Sequence, residues 1–362
     1  MRPLWIRTAL PAGPEFEQVN RRLTTHGLAT VCTHARCPNL ADCWARGTAT
    51  FMLLGDTCTR ACRFGSVATG NPQGAVDESE PERVAAAVAE LGLRYVVLTS
   101  VDRDDLIDNG AGIFARTIVQ VRMQSAECRM QNDGRPSTTD GNPLECHPER
   151  PEEVEGSRLR DSRNCVERST TALRSAQNDG QRSAVSGKPV LVEVLVPDFS
   201  GREDLIAKVL GAGPDVFGHN VETVERLSPK VRDSRASYRR SLEVLATAKR
   251  LALDTTTKSG LMVGLGETDG EVEQTMEDLR SAGCDIITIG QYLQPARECL
   301  AVERYVEPLQ FDRWREQALG LGFRAAYCGP MVRSSFHAEE VLADSEFTAK
   351  SAKMRHAREN AQ

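Results

Sequence analysis

Short runs rich in β-branched and aromatic residues recur along the chain, and most are followed by a stretch whose apolar positions return every three or four residues. The runs predict strands over Thr50–Leu54, Tyr95–Thr99, Val190–Val196, Val216–Gly218, Ser259–Gly264 and Ile286–Gly290. Helices are predicted over Glu80–Leu91, where Val84, Val88 and Leu91 share a face, and over Ile113–Val121, Glu203–Leu210, Tyr238–Leu251, Glu271–Ala282 and Phe311–Leu319. Alternation of this kind specifies an α/β fold with a parallel sheet. About six strand–helix units are too few for a closed eightfold barrel. The expected architecture is therefore an open, partial (β/α)6 TIM-like barrel with its N-terminal segment packed across the mouth. Polar residues stand just past several strand ends, as in Thr99-Ser100-Val101-Asp102, His219-Asn220 and Gly290-Gln291-Tyr292. In barrels of parallel strands that rim holds the active site.

One segment interrupts the pattern. Residues 124–187 contain no Phe, Trp, Tyr or Ile, only three Leu and three Val, and many charges of both signs. Such a composition buries too little apolar surface to offset the entropy of ordering, so the segment is read as a disordered insertion. Arg129–Gly134 is echoed by Arg174–Gly180, which suggests repeat-derived sequence. The resulting division is an N-terminal extension at 1–48, a barrel at 49–123 and 188–328, the insertion at 124–187 and a C-terminal extension at 329–362.

The 362 residues are 40% apolar, enough for a sizeable core, and the formal net charge is −6 with no basic block in the folded part. Nucleic acid is a poor partner for such a surface. No apolar run reaches the length of a bilayer span, and Met1–Pro14 lacks the apolar segment of a signal peptide. The expectation is a cytoplasmic protein that does not enter a membrane.

Eleven cysteines then need an explanation other than disulfides. Cys32, Cys37 and Cys43 form a C-x4-C-x5-C run, and Cys58 and Cys62 follow the first strand directly. By spacing alone the first run suits zinc or an iron–sulfur centre equally, with His34 as a further donor or a solvent-facing loop residue. Two thiols four residues apart are a weak signal by themselves. The scattered Cys284, Cys299 and Cys328 read as buried thiols that serve as small apolar side chains.

The surrounding sequence resembles the lipoyl synthases over nearly the whole chain outside the insertion. The matching stretches are Gly13–Phe16, Thr30–Trp44, Arg46–Met52, Gly55–Arg60, Thr99–Asp105, His219–Thr223, Lys258–Glu267, Gly290–Pro295 and Gly329–Ala338. The resemblance implies a radical S-adenosylmethionine (SAM) enzyme with two [4Fe-4S] clusters that inserts sulfur at C6 and C8 of an octanoyl chain. It implies that Cys32, Cys37 and Cys43 hold an auxiliary cluster, with Ser335 rather than Ser334 as an oxygen ligand, and that this cluster is the consumed sulfur source. Cys58 and Cys62 match two of the three ligands of the cluster that binds SAM, two molecules of which are used. The octanoyl chain is carried on lipoyl carrier domains or a glycine-cleavage H-type protein, and electrons come from a donor such as flavodoxin or ferredoxin. No side chain is assigned as catalytic, because the cofactor carries the hard chemistry.

Asn220 and Glu222 are candidates for the amino acid part or ribose of SAM, with a helix cap as the plainer role. Ser100, Asp102 and Arg103 are either contact groups or a salt-linked turn, and Lys258 is either a carboxylate partner or a surface lysine. The chain departs from the family pattern at Gly65, which stands where the third cysteine of C-x3-C-x2-C belongs. A glycine offers iron no side chain. Ser66 and the insertion residues Cys128, Cys146 and Cys165 are the substitutes considered; without one, the chain reads instead as an impaired or non-catalytic iron–sulfur protein of the same fold.

Overall fold

The computed structural model describes residues 3–6, 14–34, 37, 39, 40, 43, 49–133 and 190–335. Its main feature is a seven-stranded sheet, β1 Thr50–Leu53, β2 Tyr95–Ser100, β3 Leu191–Leu195, β4 Val216–Gly218, β5 Thr256–Val263, β6 Ile286–Gln291 and β7 Ala325–Gly329. Neighbours in the chain are neighbours in the sheet, and every pairing is parallel. The helices are α1 Pro14–Thr25, α2 Glu80–Leu91, α3 Ala111–Asp133, α4 Glu203–Gly211, α5 Tyr238–Leu251, α6 Asp269–Ser281 and α7 Pro308–Gly320. Helices α2 to α7 connect the seven strands in turn, so the sheet is the open βα array that the alternation predicts, with one strand more.

Local chemistry sets the helix ends. Helix α2 has Glu80 and Glu82 in its first turn beside Pro81, and Gly92 ends it in the left-handed conformation at φ 62°. Helix α6 starts with a capping box in which Thr268 and Glu271 satisfy each other's backbone N–H groups. Helix α3 runs on to Asp133, so the first ten residues of the 124–187 segment are helical, and the helix is longer than the Ile113–Val121 pattern predicts. The remainder of that segment lies outside the described residues.

Alternation along the strands separates two environments. Outward residues such as Val96, Leu98, Val192, Val194 and Phe217 join Val84, Val88, Phe114 and Ile118 of α2 and α3 in one core. Leu261, Val263, Ile287 and Ile289 join Met276, Phe311 and Trp314 of α6 and α7 in the other. On the opposite side of the strands, Tyr95 donates to Glu193, whose carboxylate receives Lys258 Nζ at 2.9 Å on both oxygens. This interior group is buried and fully paired.

At the mouth, small residues make room for the C-terminal segment. A Cβ added at Gly290 would lie 2.1 Å from the Val332 carbonyl oxygen, and one at Gly260 would lie 3.2 Å from Ser334 Oγ. The N-terminal segment runs along the other sheet edge, where Thr30 bridges Phe51 antiparallel and Met52 N donates to Ala29 O at 2.9 Å. Residues 29–30 thereby lie along β1, and residues 332–334 lie against the glycines of β5 and β6.

The close approach at Gly290 gives a direct test. Gly290→Ala forces the Val332 backbone to move, at a cost of about 1–3 kcal/mol typical of overpacking, and exposes the segment beyond Gly329 to protease. Urea unfolding and limited proteolysis measure the two effects; unchanged cleavage would show that the segment does not depend on this contact.

Candidate active site

The loop after β1 is turned by Leu54 and Gly55, both at positive φ, and Leu54 N is fixed to Glu80 Oε2 at 2.8 Å. It presents Cys58 and Cys62 on either side of Arg60. The Arg60 guanidinium is 3% exposed and forked onto Asp104 and Asp198, with both hydrogen bonds to each carboxylate between 2.8 and 2.9 Å. Asp102 lies 3.4 Å away as a third partner. Burial opposes the positive charge, yet the Asp104 and Asp198 hydrogen bonds outweigh it and hold Arg60 firmly protonated. Asp102 receives the smallest share of that charge, so burial pushes it up to about 6.

A cavity of about 560 Å³, counting its open mouth, lies against this loop. Cys62, Phe64, Ser100, Asp102, Asn220, Glu222 and Arg232 are among its lining residues. Its lining of carboxylates, an amide and a guanidinium suits a ligand that carries both charges. Ser100 Oγ is buried with no protein partner, leaving a hydroxyl for a ligand to satisfy. Glu222 adopts φ 67°, a costly conformation for a non-glycine residue, held by Glu222 N to Gly260 O at 3.1 Å and Met262 N to Glu222 O at 2.9 Å. Burial raises the Glu222 carboxyl above the usual range.

Cys58 Sγ donates to Asp102 Oδ2 at 3.8 Å, and Cys62 Sγ accepts from Asp233 N at 3.3 Å. Burial raises both thiols, Cys62 to about 11, and Asp102 adds to the rise at Cys58. A metal held by these thiols would have to displace a proton from each. Gly65 follows with no side chain, and Ser66 Oγ donates to the His34 carbonyl at 3.0 Å, which removes it as a free donor.

A second group of candidates lies where Asn39 meets Met331. Cys37 and Cys43 are half-buried, and the Arg333 charge acts on Cys37 against the desolvation that raises its thiol. Asn39 Nδ2 donates to Met331 O at 2.6 Å, and Asn220 Nδ2 donates to Ser334 Oγ at 2.7 Å. Ser335 follows in the same turn and is half-buried. Cys32 lies on the short helix Val31–His34, and its side chain is outside the described residues. His34 Nδ1 is engaged with Thr30 O at 2.9 Å.

Three of the four residues expected around a cofactor, Ser100, Asn220 and Glu222, line the cavity. Lys258 does not: its ammonium is taken up by Glu193 in the barrel interior, and the expectation that it meets a cofactor carboxylate is corrected. Arg103 is likewise a turn clamp, bonded to Asp105, Leu54 O and Ala75 O. Arg60, Asp198 and Arg232 were not singled out from sequence, although the Arg60 position inside the cysteine pair was a signal. Cys284 is fully buried as expected, whereas Cys299 and Cys328 are only half-buried.

The sequence matches the Radical SAM superfamily over residues 52–279. Lipoyl synthase of Thermus thermophilus is 43% identical over 344 residues, covering 95% of this chain and 87% of that protein. Lipoyl synthase of Halorhodospira halophila is 44% identical over 341 residues, covering 94% and 84%. Among solved structures, methylornithine synthase overlaps 84% of this chain and 73% of its own at a TM-score of 0.46 and 11% identity.

Two buried groups beside the cavity give measurable consequences. Arg60→Met strands three carboxylates and is expected to cost about 3–5 kcal/mol in urea unfolding; Arg60→Lys keeps the charge but not the forks, and recovers only part. His219, bonded to Val196 O and Ser241 Oγ, is held down to about 4 by burial and by Arg232. Its folded value lies below the unfolded 6.5, so its contribution is complete above that pH and is lost as pH falls toward 4. The stability gap between wild type and His219→Gln should narrow by roughly 3 kcal/mol over this window; a constant gap would mean that His219 is protonated in the fold.

Proposed function

The chain belongs to the lipoyl synthase family of the radical SAM superfamily, and from that premise we propose that it inserts two sulfur atoms, at C6 and C8, into an octanoyl chain on a carrier protein. The observation that carries the proposal is the cavity, which joins the Cys58–Cys62 loop to the polar ends of β2, β3 and β4. In this reading Cys58 and Cys62 hold the cluster that binds SAM. Cys32, Cys37, Cys43 and Ser335 hold the auxiliary cluster. When bound, the first cluster would supply a reducing electron, SAM a carbon radical and the auxiliary cluster sulfur.

The protein's own part is binding and aim. Arg60 fixes the loop to strands β2 and β3, so that Cys62 faces the cavity. Asn220 and Glu222 orient the amino acid and ribose portions of SAM, and Ser100 contributes its orphaned hydroxyl. Asn220 also donates to Ser334, which couples the SAM end of the cavity to the auxiliary end through one side chain. Residues 49–123 and 188–328 form the barrel for the first cluster, and 1–48 and 329–362 serve the second.

The carrier is an octanoylated lipoyl domain or H-type protein, and flavodoxin or ferredoxin is the electron donor. No helix of the described residues is long and apolar enough to cross a membrane. Thiol ligands need a reducing compartment, for which we propose the cytoplasm.

Anaerobically reconstituted protein with SAM, a strong reductant and an octanoyl-lysine peptide should release 5′-deoxyadenosine and form lipoyl product. Cys37→Ala should abolish lipoyl product while leaving 5′-deoxyadenosine release, because only the sulfur source is removed. Glu222→Gln should weaken SAM binding at least tenfold by equilibrium dialysis. Loss of both products in Cys37→Ala, or unaltered lipoyl formation, would contradict the division into two sites.

A further inference from the structure

The proposed SAM-binding cluster lacks one protein ligand at Gly65, and a thiol from a distant part of the chain lies beside that position. Cys299 Sγ donates to the Gly65 carbonyl at 3.2 Å, across a separation of 234 residues. The segment that carries Cys299 follows β6 on the strand-end rim and is fixed to the cysteine loop. Leu300 N donates to Arg63 O at 2.9 Å, Tyr292 OH holds Leu300 O at 2.8 Å, and Gln294 Nε2 holds Cys299 O at 2.8 Å. A Cβ built on Gly65 meets nothing within 4 Å, so the volume that a ligand side chain there would use is open.

The geometry points to Cys299 as the third thiolate of this cluster, taking the place that Gly65 cannot fill. Ligation by three thiolates requires three sulfurs around the irons, and it does not require that they come from one loop. The thiol gives up its proton to solvent as iron binds, and a turn about the Cα–Cβ bond moves its sulfur from the Gly65 carbonyl toward the open space. Two other donors are committed elsewhere: Ser66 to His34 O, and Cys284 to Ile286 O, where it is fully buried.

This inference rests on the assignment of Cys58 and Cys62 to the SAM-binding cluster, and the test separates the two claims. In the full-length chain carrying Cys32→Ala, Cys37→Ala and Cys43→Ala, only the SAM-binding cluster can form. Iron and sulfide per chain, Mössbauer spectra, and the change in the reduced electron paramagnetic resonance signal on adding SAM are then measured after anaerobic reconstitution. The background protein should hold roughly four irons, and adding Cys299→Ala or Cys299→Ser should lower this at least threefold and abolish the response to SAM. Adding Gly65→Cys to the Cys299→Ala protein should restore both, which excludes simple misfolding as the cause of the loss. Full iron and an unchanged spectrum in the Cys299 variants would overturn the inference. So would a background that holds iron only when Gly65→Cys is present. No iron with or without Gly65→Cys would overturn the underlying assignment of Cys58 and Cys62, and Cys299 with it.

Discussion

A single buried guanidinium sets the geometry of the site. Arg60 lies between the two cysteines of the first loop and is shared by carboxylates from the ends of two neighbouring strands, Asp102 and Asp104 after β2 and Asp198 after β3. Planar forks to two of them fix the orientation of the loop as well as its distance, which a lysine could not do. A charge so deeply buried is tolerable only because its partners are in place. The cysteines on either side are therefore positioned by the same interaction that ties the loop to the sheet. Arg235 and Arg240, ion-paired with Asp104 and Asp198 respectively, extend the network to the start of α5.

The barrel divides into a floor and a mouth with opposite chemistry. At the floor, Tyr95, Glu193 and Lys258 satisfy one another in a buried group that leaves nothing for a ligand. Toward the mouth, the same inward-facing register gives way to Thr99, Gly260 and Gly290. Small side chains open space there, and the chain's own C-terminal segment occupies part of it. The cavity lies at the mouth end, lined by the Arg60–Phe64 loop and by the residues that follow β2, β3 and β4.

Most of this fold is legible in the sequence because its elements are strongly patterned. Glu80–Leu91 and Tyr238–Leu251 are helices over the predicted residues, and the six predicted strands are all present with shifts of a few residues. The seventh, Ala325–Gly329, carries two alanines and a glycine and is half-exposed along its length, so neither β-branched content nor alternation marks it. Helix α1 does carry a readable pattern, with Phe16, Val19 and Leu23 at helical spacing and Val19 and Leu23 buried, but it precedes the first strand and so falls outside the strand–helix alternation. The cavity residues at strand ends could be read from position alone. Lys258 could not, because strand parity decides which side of the sheet it faces, and its partner Glu193 lies 65 residues away. Cys299 was unreadable for a related reason: its meaning depends on what stands beside it in space, and nothing in the local sequence points to Gly65.

The contact of the 331–334 turn with Asn39 and Asn220 bears on the order in which the mouth assembles. Met331 follows Asn39 by 292 residues along the chain, yet it accepts the Asn39 amide while Ser334 accepts from Asn220 at the end of β4. Closing so long a loop costs chain entropy that only the folded sheet can offset. The polar linkage at the mouth is therefore a late event in folding, and its integrity reports on the whole barrel beneath it.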